Sequence, residues 1–333
     1  GFHWVYCKRE AKDAQKRSRI MKLLFLILIP VFLSGCISFE LSREEYCNKV
    51  WRWDLECALN ETLSEKEVLK VKDLSEMLRG RDCVESSWNI LQWVEDNIEY
   101  DSYKAILPSP TIITRGEDIT VQNPERVHQT PIETLELRKG ICGDYAILIS
   151  ALLMNLDCKP YILRFEFESE ETGHLATAIL FDQYYILDQN LPPMDLGSYY
   201  KKWLQEGKRI KIVQIYDKGF LIGNITPSEM RKFDYALSDL DLKSLEAHVR
   251  ERLKKELMED PRIPLGYWEY ATLRITFYNY AELYTPLYSN KIAENIAEEV
   301  VENFEDKNKN WRAFKLGLRQ NSNDIIVEVQ LAK

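Results

Sequence analysis

From Cys142 to Leu153 the chain carries a segment that no half-exposed helix could accommodate. Ala146, Ile147, Leu148, Ile149, Ala151, Leu152 and Leu153 follow with Ser150 as the one polar interruption. Apolar residues then cover nearly the whole circumference of a helix instead of one stripe, and such a helix has to lie at the centre of a domain. Cys158-Lys159-Pro160 ends it, because proline lacks an amide and disfavours helical backbone in the residue before it. Alternation and β-branched or aromatic content predict three strands next: Tyr161–Glu168, His174–Phe181 and Tyr184–Asp188. One central helix backed by an antiparallel sheet is an α+β arrangement.

The first residues obey a different grammar. Lys8, Arg9, Lys12, Lys16, Arg17 and Arg19 crowd residues 1–20, and Met21-Lys22 then opens an apolar run from Leu23 to Leu33 broken only by Pro30. That run is too short for an ordinary spanning helix of ~20 residues but suits a signal-peptide core. It ends in Leu33-Ser34-Gly35-Cys36, which resembles the lipobox of prokaryotic lipoproteins and implies lipidation of Cys36. The alternative is an uncleaved N-terminal anchor. Either way the expected location is extracytoplasmic, at the cell membrane, with Met21 as the expected start. The whole chain has a net charge of −9, and losing the basic leader leaves the rest more acidic still. An acidic body argues against nucleic acid as a partner.

Seven cysteines fit an exported chain. With Cys7 in the leader, Cys36 assigned to lipid and Cys142 set apart, Cys47, Cys57, Cys83 and Cys158 remain. An even remainder permits two disulfides in three connectivities, with at least one bridge expected among Cys47, Cys57 and Cys83. No close cysteine spacing and only four histidines are present, so neither a metal site nor a cofactor is expected.

The expected organisation is a leader with its signal segment (1–35), an N-terminal helical region (36–84), a core (85–197), a connecting segment (198–239) and a C-terminal α/β appendage (240–333). Leu107 to Thr130, with three prolines, reads as loop or short strand, and His128 within it as a surface residue. In the appendage, Leu245, Val249, Leu253 and Leu257 keep helical register, while 314–318 and 325–329 alternate as a hairpin. The aromatic residues between Tyr267 and Tyr288 read as core or interdomain packing.

Gly140-Ile141-Cys142-Gly143-Asp144-Tyr145 places a cysteine where the buried helix begins. A helix N-terminus stabilises a thiolate and offers free backbone N–H groups to an oxyanion, with Gly140 and Gly143 leaving room for a substrate carbonyl. His174 and Asp188 follow on consecutive strands, and cysteine, histidine and carboxylate can form a nucleophile, its base and the group that orients the base. If Tyr184 pairs with Leu180 around a three-residue loop, Asp188 lies diagonal to His174 on one face, ~7–8 Å away. A two-residue loop at Asp182-Gln183 would instead put Asp188 on the other face. Asn190 is then the substitute orienting group. Gln122 and Gln129 are candidates for an oxyanion donor, with a solvated loop amide as the plainer reading.

Residues 135–146, Gly173-His174-Leu175-Ala176 and Tyr185-Ile186-Leu187-Asp188, with the upstream helix end Trp93–Asp101, resemble the transglutaminase-like core, and in particular its archaeal branch. The resemblance covers about 85–195. It implies a papain-like fold with Cys142 as nucleophile, His174 as base and Asp188 as third member. Leu175-Ala176 stands where the wider family usually has Ala-Trp after the histidine. The implied activity is hydrolysis of a peptide or amide bond through a thioester, with a peptide or protein as substrate. Protein crosslinking and a catalytically idle binding domain are the alternatives.

Overall fold

The computed structural model describes residues 41–169, 173–305 and 310–333. The leader, Cys36 and their expected roles lie outside the described residues. Four short helices, α1 (Arg43–Val50), α2 (Leu55–Thr62), α3 (Glu65–Leu69) and α4 (Lys72–Met77), precede α5 (Cys83–Asn97). Asp82 starts α5 by accepting from the Glu85 amide, which satisfies one of the free donors of its first turn. Then come β1 (Glu99–Tyr100), α6 (Ser102–Ile106), the hairpin β2 (Thr111–Arg115) and β3 (Asp118–Gln122), α7 (Pro131–Leu137), β4 (Lys139–Gly140) and α8 (Cys142–Met154).

Helix α8 is buried from Gly143 to Leu153, as its composition requires. One side meets α5 through Ile90, Leu91 and Val94. Another meets Leu175 and Ile179 of the sheet, and Val68 and Val71 of the N-terminal helices complete the shell. The sheet is built from β5 (Pro160–Phe167), β6 (His174–Leu180), β7 (Tyr184–Leu187), β8 (Met194–Asp195), β9 (Ile210–Asp217) and β10 (Phe220–Ile225). Their order is β10-β9-β5-β6-β7-β8, antiparallel throughout. Period-2 alternation divides β6 between the two faces. Leu175 and Ile179 join the α8 core, whereas Ala176 and Ala178 join a second core under α9 (Leu196–Gln205), with Phe165, Tyr199 and Trp203.

After α10 (Pro227–Met230) the C-terminal part comprises α11 (Asp239–Leu253), β11 (Met258–Glu259), β12 (Tyr270–Phe277), α12 (Ser289–Glu305), β13 (Ala313–Asn321) and β14 (Asp324–Ala332). It forms a four-stranded sheet of order β11-β13-β14-β12. Its core also takes in Trp88 of α5 and Tyr185 of β7, and the Ser87 and Tyr288 hydroxyls meet at 2.8 Å. The C-terminal unit is thus packed onto the core rather than carried beside it. β12 pairs along its whole length with β14, a non-local pairing that the aromatic content of 267–288 concealed. Of those aromatics Tyr284 and Tyr288 are buried, but Trp268 and Tyr278 are exposed, so that stretch is not uniformly core.

Two disulfides are formed, Cys47–Cys57 and Cys83–Cys158. The first lies within the trio expected to hold a bridge. The second fastens the start of α5 to the segment just past the end of α8. Cys142 is the free thiol among the described residues.

Candidate active site

The position of Cys142 at the start of α8 is fixed by Asp144. Asp144 is the third residue of α8, and its Oδ2 accepts from the Ile141 amide at 2.9 Å. The same oxygen receives the Lys104 ammonium at 2.6 Å, while Oδ1 accepts from the Gln129 amide at 3.0 Å. One buried carboxylate therefore joins the start of α8 to α6 and to the segment before α7. On the other side the Tyr145 hydroxyl donates to the Ile98 carbonyl at the end of α5. Arg138, with φ at +53°, ends α7 in the left-handed region and turns the chain into β4. β4 pairs with β1, which sets Tyr100 beside Gly140.

The register of β6 and β7 is the one produced by a three-residue loop: Leu180 pairs with Tyr184 and Thr177 with Leu187. Asp188 follows directly, and its Oδ1 accepts from His174 Nε2 at 3.0 Å. Its Oδ2 accepts from the Tyr199 hydroxyl at 2.9 Å and from Lys202 Nζ at 3.4 Å. Trp203 stands edge-on to the imidazole, with centroids 5.0 Å apart. Tyr199, Lys202 and Trp203 come from one face of α9 at helical spacing.

These contacts favour the charged form of each of the three groups. Burial lowers His174, but the charge and hydrogen bond of Asp188 and the hydrogen bond to Cys142 outweigh it and raise the imidazole to about 10. Burial pushes the Cys142 thiol up, yet the His174 hydrogen bond and charge, with the Leu175 amide, bring it below its ordinary value. Burial also raises Asp188, but the His174 charge and hydrogen bond, aided by Lys202 and Tyr199, hold it far below the usual carboxylate range. With Nε2 occupied by Asp188, Nδ1 is the nitrogen left for the thiol.

Cys142, His174 and Asp188 open onto one cleft of about 380 Å³, lined also by Tyr100, Arg126, Phe167, Gln189, Trp203 and three charged residues of α9 and its exit, Lys202, Glu206 and Lys208. Among the described residues no group of three or more His, Cys, Asp and Glu side chains is placed to hold a metal ion. No described helix is long and apolar enough to cross a membrane.

Other candidates lie elsewhere. Gln122 is exposed at the end of β3, and Asn190 is exposed beyond β7. Gln129 is buried, but its side-chain carbonyl accepts from Thr134 and it does not line the cleft. Gly143 faces inward: a Cβ there would stand 3.2 Å from Leu175 Cδ1 and 3.5 Å from His128 Nδ1. At Gly140 it would come within 2.7 Å of the Asp144 Cβ. The glycines thus permit close internal packing of the motif. His128 is partly buried rather than on the open surface: its ring packs at Gly143, and burial lowers its pKa. Tyr199, Lys202 and Trp203 carried no signal beyond ordinary amphipathic spacing.

Residues 69–216 match the family model described as a transglutaminase-like domain. A UPF0252 protein of Archaeoglobus fulgidus is 42% identical over 318 residues, covering 92% of this chain and 99% of the relative. A UPF0252 protein of Pyrococcus horikoshii is 27% identical over 331 residues, covering 94% and 99%. Among solved structures, Legionella pneumophila LapG aligns with a TM-score of 0.26 and 13% identity, over 45% of this chain and 84% of that one. The chain belongs to the UPF0252 family of archaeal proteins and carries a transglutaminase-like domain of α+β fold.

Proposed function

We propose that this protein is a thiol enzyme that hydrolyses peptide or amide bonds, with Cys142 as nucleophile, His174 as acid and base, and Asp188 orienting the imidazole. The observation that carries this reading is geometric: Cys142, His174 and Asp188 line one cleft with His174 Nε2 at 3.0 Å from Asp188 Oδ1, and the same contacts lower the thiol and raise the imidazole to about 10. That combination favours the thiolate–imidazolium pair over the neutral thiol and imidazole.

In the first half-reaction the Cys142 thiolate attacks the carbonyl carbon and the π pair moves onto oxygen. Free backbone N–H groups at the start of α8 would serve as donors to that developing charge. Collapse breaks the C–N bond, and the imidazolium gives its proton to the departing amine. The thioester is then attacked by water, whose proton passes to His174, and the C–S bond breaks to release the carboxylic acid and regenerate the ion pair. Crosslinking would differ only in an amine taking the place of water.

The proposal extends to location: an extracytoplasmic domain tethered to the cell membrane through Cys36 or an N-terminal anchor. The two disulfides support it, since such bonds persist mainly in oxidising compartments, with hyperthermophile interiors as the known exception.

The test is a panel of peptides and amides incubated with the protein and with Cys142→Ala, read by mass spectrometry for new termini and for an acyl adduct on Cys142 after acid quench. Cleavage and adduct are expected for the native chain alone. Absence of turnover, together with a Cys142 alkylation rate no higher than that of a free thiol in solution, would sink the enzyme reading. Transfer to an added primary amine in preference to water would select crosslinking.

A further inference from the structure

Tyr100 lines the same cleft as Cys142 and His174, and its phenol takes no part in the steps above. Its place is set by backbone. The Glu99 amide donates to the Arg138 carbonyl and the Asp101 amide to the Gly140 carbonyl, each at 2.9 Å, so Tyr100 is held between two bonds to the β4 segment. Parallel pairing puts it level with Gly140, just before the cysteine. Asp101 then caps α6 by accepting from the Lys104 amide, and Lys104 ties that helix to Asp144 at the start of α8. Tyr100 therefore belongs to the same assembly that seats Cys142.

The side chain is 46% exposed, as befits the wall of an open cleft. Among the described residues its hydroxyl has no hydrogen-bond partner. The Tyr145 and Tyr199 hydroxyls, by contrast, are committed to the Ile98 carbonyl and to Asp188. Burial and, after it, the negative charge of Cys142 raise the Tyr100 pKa, with Arg126 pulling the other way. The phenol thus stays protonated through the neutral range and feels the charge on the sulfur. It is a donor without an acceptor, and the acceptor has to come with whatever enters the cleft.

When a thiolate adds to a carbonyl, its negative charge passes to an oxygen only two bonds from the sulfur. A fixed donor near the sulfur is then well stationed for that oxygen, and it gains strength as the charge develops without reorganising. Resting on the reading of Cys142 as nucleophile, we infer that Tyr100 is a further catalytic residue, whose hydroxyl donates to the oxyanion of the tetrahedral intermediate alongside the backbone N–H groups of α8.

The test compares two reactions of Cys142 in the full chain, each read by peptide mass. With 4-nitrophenyl acetate the thiolate adds to the carbonyl, the π pair moves onto oxygen, and collapse expels 4-nitrophenolate to leave an acetyl thioester. With iodoacetamide it displaces iodide at a saturated carbon, and no charge gathers on a carbonyl oxygen. Tyr100→Phe keeps the ring and removes the donor, with thermal melting confirming the fold. Acetylation should slow by about ten-fold or more, since loss of one oxyanion donor costs up to about 10²–10³. Alkylation should stay within about two-fold, because the thiolate itself is unchanged. Tyr100→Leu should slow acetylation to the same extent, placing the effect on the hydroxyl and not on the ring. Unchanged acetylation in Tyr100→Phe overturns the inference while leaving Cys142 as nucleophile. A parallel fall in both reactions also overturns it, since Tyr100 would then act on the thiolate. A native chain that forms no acetyl adduct and alkylates no faster than a free thiol removes the nucleophile reading, and the inference with it.

Discussion

Tyr199 and His174 grip opposite oxygens of one carboxylate: the Tyr199 hydroxyl donates to Asp188 Oδ2 at 2.9 Å, and His174 Nε2 meets Oδ1 at 3.0 Å. A carboxylate held at both ends cannot rotate, so the imidazole it orients cannot swing away from Cys142. Tyr199→Phe removes one of these restraints at constant shape. A hydrogen bond to a charged group contributes about 1.5–3 kcal/mol, so a loss of that order in urea unfolding is expected. Catalytic rate should fall by about ten-fold or more, and the site should lose angular precision without losing its fold.

Asp188→Asn deletes the charge that raises His174. The imidazole should return toward about 6.5, and the thiol should rise because its cationic partner is gone. Alkylation of Cys142 measured against pH checks this: the native profile should extend below the ordinary thiol range and shift upward in the variant. Turnover should drop by about 10³–10⁴, the scale seen when a triad carboxylate becomes an amide.

Stability should follow the same groups. His174 is raised in the folded state, so its contribution is complete below about 6.5 and is lost as pH climbs toward about 10. Asp188 is depressed, so its contribution is present above about 3.9 and is lost as pH falls through its folded value. The two overlap fully between about pH 4 and 6.5. The melting temperature of the native chain should exceed that of Asp188→Asn by most in that window. A difference that grew towards pH 10 would contradict the assignment.

Lys104 and Asp144 form an ion pair at 2.6 Å with both side chains buried. Lys104→Met strands the carboxylate with only backbone donors and should cost about 3–5 kcal/mol in denaturant unfolding. The double variant Lys104→Met/Asp144→Asn should regain part of that loss, because no buried charge is left unpaired. Cys142 labelling should slow in the single variant, since Asp144 also sets the start of α8.

Gly143→Ala would press a methyl group onto Leu175 and His128. Overpacking of this kind costs about 1–3 kcal/mol. Leu175 supplies the amide that donates to the thiolate, so displacing it should raise the thiol pKa. The readout is an alkylation midpoint shifted to higher pH, with a melting point only a few degrees lower.

The sequence carried the central helix openly, because an all-round apolar surface admits only burial. It also framed the question at His174 and Asp188: two loop lengths gave opposite faces, and the pairing of Leu180 with Tyr184 is the arrangement that unites them. What stayed hidden depends on distant packing. Tyr199, Lys202 and Trp203 look like any amphipathic helix until β6 and β7 bring His174 and Asp188 beneath them. Asp144 sat in plain view within the motif, yet its partners Lys104 and Gln129 are separated from it by loops of no periodic character. Cys83 and Cys158 could not be paired by spacing, since four cysteines permit three connectivities and only the meeting of α5 with the end of α8 chooses one. β12 was missed because its partner β14 lies some fifty residues further along.

The Cys83–Cys158 bridge closes a loop of 75 residues that contains both the β2–β3 hairpin and Cys142. A protease that cuts the hairpin turn at Gly116-Glu117 would leave two fragments still covalently joined, with α5 and α8 fastened side by side. Such a nicked protein would migrate as one chain until reduced, and its thiolate would remain seated at the start of its helix. The bond therefore gives the site tolerance of a broken backbone in addition to any stability it confers.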